Sequence, residues 1–410
     1  NMQEVVLTRE NYIAKCEGRT NFPWRTLIVS VKDAELANSD MVYRLSTPNQ
    51  LGDLSWIKPG KAAWEWWNSC SLYGVDFIAG INNETYKYYI QFAADNNLEY
   101  IVIDAGWYKG TDILDVVDEL NLKELVEYGR ERNVGIVLWT GSYPFMQDIE
   151  KVCKHYSAIG IKGFKIDFMD RDDQSMVNFH YSAAKTAAKY NLIIDFHGTY
   201  KPTGLNRTCP NVLTFEAVQG LEHMKWAVTY DMTMPYIRMV AGPLDYTQGT
   251  MRNASKQNYR PVNSEPMNQG TRCRQLAEYV IFESPFSMLC DSPSAYMKET
   301  ECTDFIAGIP VVWDTTLALN GEITKFLTLA RKKENVWYVA SINNWDIRSI
   351  ELDLSFLGEG NFKAEIFRDG LNADKVARDY KREVVDIPSE RKLSFTMAPG
   401  GGYIMKIFKD

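Results

Sequence analysis

The sequence predicts an α/β fold, a (β/α)₈ barrel of the TIM type, followed by an all-β sandwich. Between residues 58 and 310, eight strand patterns alternate with helical patterns, which is the arrangement of such a barrel. After residue 310, short strand patterns separated by turn residues replace the helical periodicity. A doubly wound parallel sheet is the alternative architecture, but it usually has a GxGxxG turn after its first strand, which this sequence lacks.

The barrel prediction depends on apolar patterns of two periods, one for strands and one for helices. Strands are predicted at residues 61–67, 98–107, 135–139, 163–169, 192–197, 212–216, 239–244 and 287–291. Helices are predicted at residues 84–94, 122–133, 148–159, 174–190 and 273–283. Asp172 and Asp173 precede the fourth of these helices, where an N-cap and a first-turn acid are favourable.

The chain divides into three predicted regions around this barrel. Residues 1–57 lack the pattern of a complete domain and are predicted to be a connector or the remnant of an N-terminal β-domain, with a strand at 23–31 and a short helix at 36–45. Residues 58–310 form the predicted barrel. Residues 311–410 form the predicted β-sandwich, with strand patterns at 336–342, 349–354, 363–367 and 403–408.

Composition narrows the classes of function. The net charge of −8 argues against nucleic acid as a partner, because phosphate binding requires a basic surface. No apolar run of about 18 residues occurs, so the sequence predicts no membrane span. Aromatic residues make up 13% of the chain, which favours a carbohydrate site where rings stack on sugar faces, although a large core also uses aromatic residues.

Cysteine, histidine and the amino terminus add further limits. Seven scattered cysteines without a CxxC pair predict buried free thiols. Four histidines without an HExxH motif argue against a multi-histidine metal site. The first residues do not have the pattern of a signal peptide, so such a segment is predicted to be absent or already removed.

Polar side chains gather at the ends of the predicted strands, where a barrel forms its active site. In residues 163–169, Lys165 and Asp167 share one face of the strand, and both are costly to bury unless paired or functional. Helix capping or a buried ion network is the alternative for some members of this set, and we favour it for Asp195 and Asp291. The full set is Glu65, Asp104, Lys165, Asp167, Asp195, His197, Glu216, Glu222 and Asp291.

Two carboxyl groups on opposite sides of a bond are what the hydrolysis of a glycoside requires. Asp167 suits the ionised member, because the cation of Lys165 two residues away would lower its pKa. A structural salt bridge is the alternative role for Lys165. Glu222 suits the protonated member, because the like charge of Glu216 would raise its pKa. His197 ends a strand and is placed to contact a substrate hydroxyl.

Several motifs in this order resemble glycoside hydrolase family 97, and the resemblance covers essentially the whole chain. They are Ser-Trp-Ile-Lys-Pro-Gly-Lys at 55–61, Ala-Trp-Glu-Trp-Trp at 63–67, Ile-Asp-Ala-Gly-Trp at 103–107, Lys-Ile-Asp-Phe at 165–168, His-Gly-Thr-Tyr-Lys-Pro at 197–202 and Glu-Ala-Val-Gln-Gly-Leu-Glu at 216–222. The resemblance implies a (β/α)₈ barrel, a C-terminal β-sandwich, a large N-terminal β-domain and a calcium ion in the active site. The N-terminal β-domain is essentially absent from this chain, and in the family it contributes a calcium ligand.

The resemblance also implies roles for individual residues. Inverting members of the family have a glutamate base where this chain has Gly198, whereas retaining members have an aspartate nucleophile at the position of Asp167. The chain is therefore similar to the retaining α-galactosidases, with Glu222 as acid/base and with Glu216 and Glu222 as calcium ligands. Substrate-binding roles are predicted for Glu65, Trp67, Asp104, Lys165 and His197.

The predicted function is that of a retaining, exo-acting α-galactosidase that uses double displacement with the assistance of calcium. Its predicted substrate is an oligosaccharide with a terminal α-linked galactose. An α-glucosidase of the same family is one alternative, because the contacts that select the sugar are not visible in the spacing. A second alternative is a carbohydrate-binding fragment that has lost catalysis. A third alternative is a barrel enzyme that acts on a carboxylate substrate. The resemblance further implies a bacterial, periplasmic protein.

Overall fold

The computed structural model describes residues 9–223, except 13, 21 and 23, and residues 228–410. The strands in this part of the chain are β1 Gly60–Trp64, β2 Tyr100–Ile103, β3 Tyr108–Lys109, β4 Asp112–Val116, β5 Gly135–Gly141, β6 Gly163–Asp167, β7 Ile193–Phe196, β8 Val212–Phe215, β9 Arg252–Ala254, β10 Met267–Gln269, β11 Phe286–Leu289, β12 Thr315–Glu322, β13 Phe326–Lys333, β14 Val336–Asn343, β15 Arg348–Asp353, β16 Phe362–Asp369, β17 Tyr380–Asp386, β18 Lys392–Met397 and β19 Gly402–Lys409. The helices are α1 Asp33–Leu36, α2 Met41–Leu45, α3 Asn83–Asp95, α4 Leu122–Arg130, α5 Ser142–Met146, α6 Ile149–Ile159, α7 Gln174–Lys189, α8 Leu205–Thr208, α9 Val228–Asp231, α10 Met234–Ile237, α11 Arg272–Ile281, α12 Pro293–Tyr296 and α13 Thr300–Ala307. Short 3₁₀ turns lie at Leu221–His223, Met239–Ala241 and Ser355–Leu357.

A nearly closed barrel of seven parallel strands, in the order β11-β1-β2-β5-β6-β7-β8, forms the centre of the molecule. The predicted TIM-type barrel is confirmed in this form. Its strands are buried along their whole length or nearly so, since side chains fill the interior and helices cover the outside. The carboxyl ends of parallel strands meet at one face, so the polar residues predicted at strand ends are brought together.

The strand predicted at residues 239–244 is wrong. This segment begins with the 3₁₀ turn Met239–Ala241 and continues through Pro243, which has no N–H to donate to a ladder. The gap between β8 and β11 is instead bridged by two single hydrogen bonds, from Leu244 N to Glu283 O at 2.8 Å and from Asp245 N to Phe215 O at 3.0 Å. Residues 244–247 therefore occupy the place of the missing strand as an irregular segment.

The long helix α7 begins where the sequence predicts. The carboxylate of Asp173 accepts hydrogen bonds from the backbone N–H groups of Ser175 at 3.0 Å and Met176 at 3.2 Å, which confirms it as the N-cap. Capping fixes the start of the helix, and its apolar face, which includes Phe179 and Ala183, is buried in the core.

His180 of α7 provides a test of how the buried helix face responds to acid. Its Nδ1 lies 2.8 Å from Met176 O and its Nε2 lies 2.8 Å from Thr199 Oγ1. Burial lowers its pKa from 6.5 to about 4. Between pH 6.5 and about pH 4, His180 binds a proton in the unfolded chain but not in the folded protein. The contribution of the neutral ring to the free energy of unfolding is therefore fully present above pH 6.5 and is lost as the pH falls towards 4.

The expected result for His180→Gln is the loss of this acid sensitivity. Between about pH 7 and about pH 5, the free energy of unfolding of the unaltered protein should fall by about 2 kcal/mol more than that of the variant. Urea unfolding at the two pH values measures the difference. Equal losses in both proteins would contradict the assignment of His180 as a buried neutral residue.

The C-terminal region is a β-structure, as predicted. Six antiparallel strands form one sheet in the order β12-β13-β14-β19-β16-β17, and β15 pairs with β18 in a second, smaller sheet. A separate apolar cluster, which includes Ile350, Phe362 and Met405, lies between the two sheets. The barrel joins this region through α11, where Arg274 Nη1 donates to Asn343 O at 2.7 Å.

The N-terminal predictions differ from the structure in two places. Residues 24–31 form no strand, and Trp24 and Val31 are 84% and 93% exposed, because nothing in the described residues pairs with this segment. Pro23, the first residue of that predicted strand, lies outside the described residues. The single helix predicted at 36–45 is replaced by the two short helices α1 and α2.

The predictions about the cysteine thiols and about membrane-spanning segments can be compared with the fold. All cysteines are free, and all except Cys16 are buried, which confirms buried free thiols for most of them. Within the ranges that the structure describes, no helix combines the length and apolar character needed to cross a membrane.

Candidate active site

A cavity of about 810 Å³ opens at the carboxyl ends of the barrel strands. This is the size and position expected for a ligand site in a barrel. Carboxylates, a lysine, two histidines and aromatic rings face it together. The lining includes Trp66, Asp104, Trp139, Lys165, Asp167, Phe168, His197, Gly198, Glu216, Glu222, His223 and Tyr230.

Asp167 is the last residue of β6 and is 8% exposed. Its Oδ2 accepts a hydrogen bond from Trp139 Nε1 at 3.0 Å, and its Oδ1 accepts one from Phe168 N at 2.6 Å. Burial alone would raise the pKa of Asp167. The polar contact with His197 at 3.7 Å and its charge, followed by the charge of Lys165, overcome this and lower the pKa to about 2. Asp167 is therefore an ionised carboxylate facing the cavity.

Lys165 acts mainly through a different partner from the one the sequence suggested. Its Nζ lies 3.0 Å from Asp104 Oδ2 and 4.4 Å from the centre of the Trp64 ring. Burial acts to lower the pKa of Lys165, but the charge of Asp104, and then those of Glu222 and Asp245, keep its pKa above the usual value. Lys165 thus forms the structural salt bridge that was the alternative prediction, and it also lines the cavity.

His197 lies among four carboxyl groups. Its Nδ1 is 3.4 Å from Glu216 Oε2 and 3.7 Å from Asp167 Oδ2, while its Nε2 is 3.1 Å from Asp245 Oδ2 and 3.9 Å from Glu222 Oε1. Burial favours the neutral ring, but the charge of Glu216 and the contacts with Asp167 and Asp245 raise the pKa of His197 well above its usual value. The cationic form of the imidazole is thus favoured, with two carboxyl groups facing each of its nitrogen atoms.

The pKa values of Glu216 and Glu222 are shifted in opposite directions although the two carboxyl groups lie close together. Burial would raise the pKa of Glu216, but His197 and a 3.3 Å contact with His223 lower it, and its Oε2 accepts the Gly198 N–H at 2.7 Å. Burial raises the pKa of Glu222 to about 7, against the charges of His197 and Lys165. The raised pKa predicted for Glu222 is thus present, but burial rather than Glu216 is its main cause.

Two residues predicted to contact substrate lie behind the cavity wall. Glu65 accepts hydrogen bonds from Tyr86 Oη and from Asp104 N, both at 2.8 Å, so it holds the Asp104 backbone instead of facing the cavity. Trp67 is 2% exposed and packs in the apolar interior, whereas Trp66 is 50% exposed and lines the cavity. The reason is that β1 ends at Trp64, after which the strand alternation no longer applies.

The two carboxylates for which the sequence favoured a structural role do not line the cavity. Asp291 accepts the backbone N–H groups of Met251 and Ser292, each at 2.9 Å, and lies 3.3 Å from Arg252, so it organises a loop. Asp195 lies inside the barrel, where it accepts a hydrogen bond from Thr214 Oγ1 at 2.9 Å.

Sequence reasoning missed several side chains at the site, and three of them show why. Trp139 lies in β5 at a predicted strand end, so the rule used for the carboxylates would have identified it. Trp66 is adjacent to a residue that was chosen. Asp245 is 1% exposed and contacts His197, but it lies in the irregular segment 244–247, where no periodic pattern indicates which way a side chain points.

Gly198 has a specific steric role beside the carboxylate of Asp167. Its φ is +52°, and a Cβ built at this position would lie 2.5 Å from Asp167 Oδ1 and 2.7 Å from Phe168 N. No side chain fits at residue 198 while Asp167 keeps its place. The glutamate base expected in the inverting type is therefore incompatible with this arrangement of Asp167.

Some of these side chains are close enough together to hold a divalent cation. Ligand atoms of His197, Glu216 and Glu222 lie within 4.8 Å of one another. Calcium prefers oxygen ligands, and an imidazolium that is protonated on both ring nitrogens has no lone pair to offer, so the two glutamates are the suitable donors. The residues thus fit part of a calcium site, in which Glu216 and Glu222 would each offer carboxylate oxygen.

Comparison with known proteins places this site in a family. The family model for glycoside hydrolase 97 matches residues 64–218, and the model for the C-terminal oligomerisation domain of the same family matches residues 312–408. Together the two models span more than half of the chain. The chain belongs to glycoside hydrolase family 97. The resemblance found in the sequence motifs is thereby confirmed.

Two curated relatives of this family member are similar over most of its length. A retaining α-galactosidase from Bacteroides thetaiotaomicron is 55% identical over 99% of this chain, and a probable retaining α-galactosidase from Streptomyces bingchenggensis is 31% identical over 86% of it. The chain spans only 62% and 54% of the length of these two proteins.

Solved structures show the same architecture. A family 97 enzyme from a Pseudoalteromonas species, in complex with acarbose, is 28% identical and superposes with a TM-score of 0.84 over 93% of this chain and 65% of its own. A β-arabinopyranosidase is 24% identical, with a TM-score of 0.75 over 90% of this chain and 59% of its own, and this likeness concerns the fold alone.

Proposed function

We propose that this family 97 member acts as a retaining, exo-acting α-galactosidase on oligosaccharides that end in an α-linked galactose. The observation that carries the proposal is the pair of carboxyl groups at the two edges of the His197 ring. Asp167 has a pKa of about 2 and Glu222 a pKa of about 7. Two carboxyls whose environments separate their pKa values are suited to the roles of nucleophile and acid. The 55% identical relative supports galactose as the sugar.

In the first step, a carboxylate oxygen of Asp167 attacks the anomeric carbon of the galactose. The bond between that carbon and the glycosidic oxygen breaks, and Glu222 donates its proton to the departing oxygen. The products of this step are a galactosyl ester of Asp167 and the free leaving group. Trp139 and the Phe168 N–H hold the two Asp167 oxygens, which orients the nucleophile before attack.

In the second step, Glu222, now ionised, takes a proton from water. The water oxygen attacks the anomeric carbon, the ester bond to Asp167 breaks, and galactose leaves with its original configuration. His197 stabilises the negative charge of Asp167 when the ester is cleaved, because the imidazolium remains beside it.

Substrate binding is assigned to side chains that face the cavity. The paired Asp104 and Lys165 present a carboxylate and an ammonium group to sugar hydroxyls at its floor. Trp66 offers an exposed ring on which an apolar sugar face stacks. Glu65 supports this arrangement indirectly, through its bond to the Asp104 N–H.

The test is proton NMR of an aryl α-galactoside during hydrolysis, which shows the anomer of galactose that forms first. The proposal expects α-galactose to appear before mutarotation produces the β-anomer. Early β-galactose would mean inversion and would contradict the nucleophile role of Asp167. Cleavage of an aryl α-glucoside alone would favour the α-glucosidase, and sugar binding without any product would favour the non-catalytic fragment.

We further propose that calcium binds at Glu216 and Glu222. When bound, the ion would supply positive charge that orients the substrate and polarises it. Removal of calcium with a chelator should lower the melting temperature, and saturating calcium should raise it by about 2 °C or more, because a ligand stabilises the state that binds it. Glu216→Gln should abolish that shift, and magnesium serves as the control ion. A shift of equal size in the variant would contradict the site.

A further inference from the structure

Glu222 lies on a short turn, and among the residues that the structure describes few contacts fix its carboxyl group. The turn Leu221–His223 has only three residues. The carboxyl lies 3.9 Å from His197 Nε2, which is beyond hydrogen-bonding distance. The location of the acid therefore depends on what holds the backbone of this turn.

The irregular segment 244–247 holds that backbone. Leu221 N donates to Tyr246 O at 2.9 Å, and Glu222 N donates to Thr247 Oγ1 at 3.3 Å. The preceding residue is close to the same two atoms, since a Cβ at Gly220 would meet Tyr246 O at 3.3 Å and Thr247 Oγ1 at 3.4 Å. The turn that carries Glu222 thus rests directly on Tyr246 and Thr247.

Thr247 adopts a backbone conformation that is unfavourable for its residue type. Its φ is +60°, a region in which a β-branched side chain is strained. Glycine would adopt this conformation without strain but has no hydroxyl. Thr247 is 1% exposed, and its hydroxyl donates to Tyr246 O at 2.6 Å while it accepts the Glu222 N–H. The hydroxyl is thus the group that links the segment to the turn.

The segment itself is firmly anchored. Asp245 N donates to Phe215 O at the end of β8, and Tyr246 Oη donates to the buried carboxylate of Asp231. Asp231 in turn lies 2.9 Å from Arg274 Nη2. Thr247 therefore connects the turn to the barrel wall and, through Arg274, to the C-terminal sheet.

We propose that Thr247 is a positioning residue that fixes the backbone of Glu222, so that its carboxyl meets the departing oxygen. This inference rests on the proposed role of Glu222 as acid. Without the hydroxyl, the turn loses a hydrogen bond and the acid is displaced, while Asp167 keeps its place because its two hydrogen bonds come from Trp139 of β5 and from the backbone N–H of Phe168.

The readout is the dependence of kcat/KM on the leaving group. A dinitrophenyl galactoside has a leaving group that departs without a proton, whereas a galactosyl disaccharide has a sugar alcohol that requires one. A displaced acid therefore harms cleavage of the disaccharide selectively. A purely structural defect lowers the rates on both substrates together.

Thr247→Val removes the hydroxyl at nearly constant volume, and Thr247→Gly removes both the hydroxyl and the strain, so at least one folded variant is available. Both should lose about 10²-fold in kcat/KM on the disaccharide, the lower end of the effect of general acid catalysis, and less than about fivefold on the dinitrophenyl galactoside. Thr247→Ser keeps the hydroxyl and should retain activity on both substrates within about threefold. Thermal unfolding verifies that each variant is folded.

Glu222→Gln serves as the reference, because it should show the selective loss in full. Equal losses on both substrates in the folded Thr247 variants, or a loss in Thr247→Ser as large as in Thr247→Val, would overturn the positioning role. If Glu222→Gln itself shows no selective loss, the acid assignment of the proposed function fails instead. The two failures are thereby distinguished.

Discussion

Replacement of Asp167 by asparagine is expected to lower kcat by roughly 10⁴-fold or more, the scale of loss seen when a nucleophile is removed. An amide oxygen does not form the galactosyl ester, whereas the carboxylate, with its pKa of about 2, is always ionised at neutral pH. The amide keeps the shape of the side chain between Trp139 and Phe168, so the fold should persist. Steady-state kinetics and thermal unfolding measure the two effects.

A small external anion gives a sharper version of this test. Asp167→Gly leaves space beside the anomeric carbon, so azide should restore cleavage of an activated α-galactoside. The expected product is β-galactosyl azide, because azide enters from the face of the sugar that the nucleophile occupied. Wild-type activity in Asp167→Asn, or an α-configured azide, would contradict the assignment.

Asp291→Asn is the matched control for Asp167→Asn. Asp291 is a buried carboxylate at the end of another barrel strand, but its oxygens contact backbone N–H groups of a loop and it does not line the cavity. Its replacement should lower stability and leave kcat nearly unchanged. A large loss of kcat at both positions would show that any buried charge at the barrel rim has the same effect.

Replacement of Gly198 by alanine is expected to lower kcat by about 10²-fold, because a displacement of the nucleophile by about 1 Å is enough for such a loss. The new Cβ would lie 2.5 Å from Asp167 Oδ1, so the carboxylate has to move. The φ of +52° adds local strain of about 1–2 kcal/mol. Kinetics on the aryl galactoside, together with thermal unfolding, separate the displacement from the strain.

Gly110→Ala isolates the effect of strain. Gly110 has a φ of +56°, nearly that of Gly198, and a Cβ there meets nothing within 4 Å. The two variants should therefore lose similar stability, while only Gly198→Ala should lose activity. Equal kinetic effects at the two positions, or unchanged kcat in Gly198→Ala, would remove the steric argument against a side chain at residue 198.

Periodicity and strand ends were sufficient to identify most of the candidate site. Alternation within β6 indicated that Lys165 and Asp167 share the inner face, and both line the cavity. The end of the sixth predicted strand and the loop after it identified Glu216 and Glu222, and the family motifs added the meaning of a glycine at residue 198. These properties depend on neighbours one to four positions away in the chain, which the sequence displays directly.

Other features depended on residues that are distant in the sequence. Lys165 pairs with Asp104, 61 positions away, and burial rather than Glu216 is the main cause of the raised pKa of Glu222. The strand predicted at 23–31 does not form over its described residues 24–31, because a strand requires a partner and the described residues provide none. Such contacts and burial exist only once the chain is folded.

The sequence by itself determined the barrel, the β-rich C-terminal region and four carboxylates that line the cavity, Asp104, Asp167, Glu216 and Glu222. Only the tertiary structure decided that Trp66 instead of Trp67 faces the cavity, that Asp245 contacts His197, and that Thr247 supports the turn of Glu222. Trp66, Asp245 and Thr247 lie outside regular strands, so no alternation along the sequence indicates the direction of their side chains. There, the direction is set by packing against distant parts of the chain.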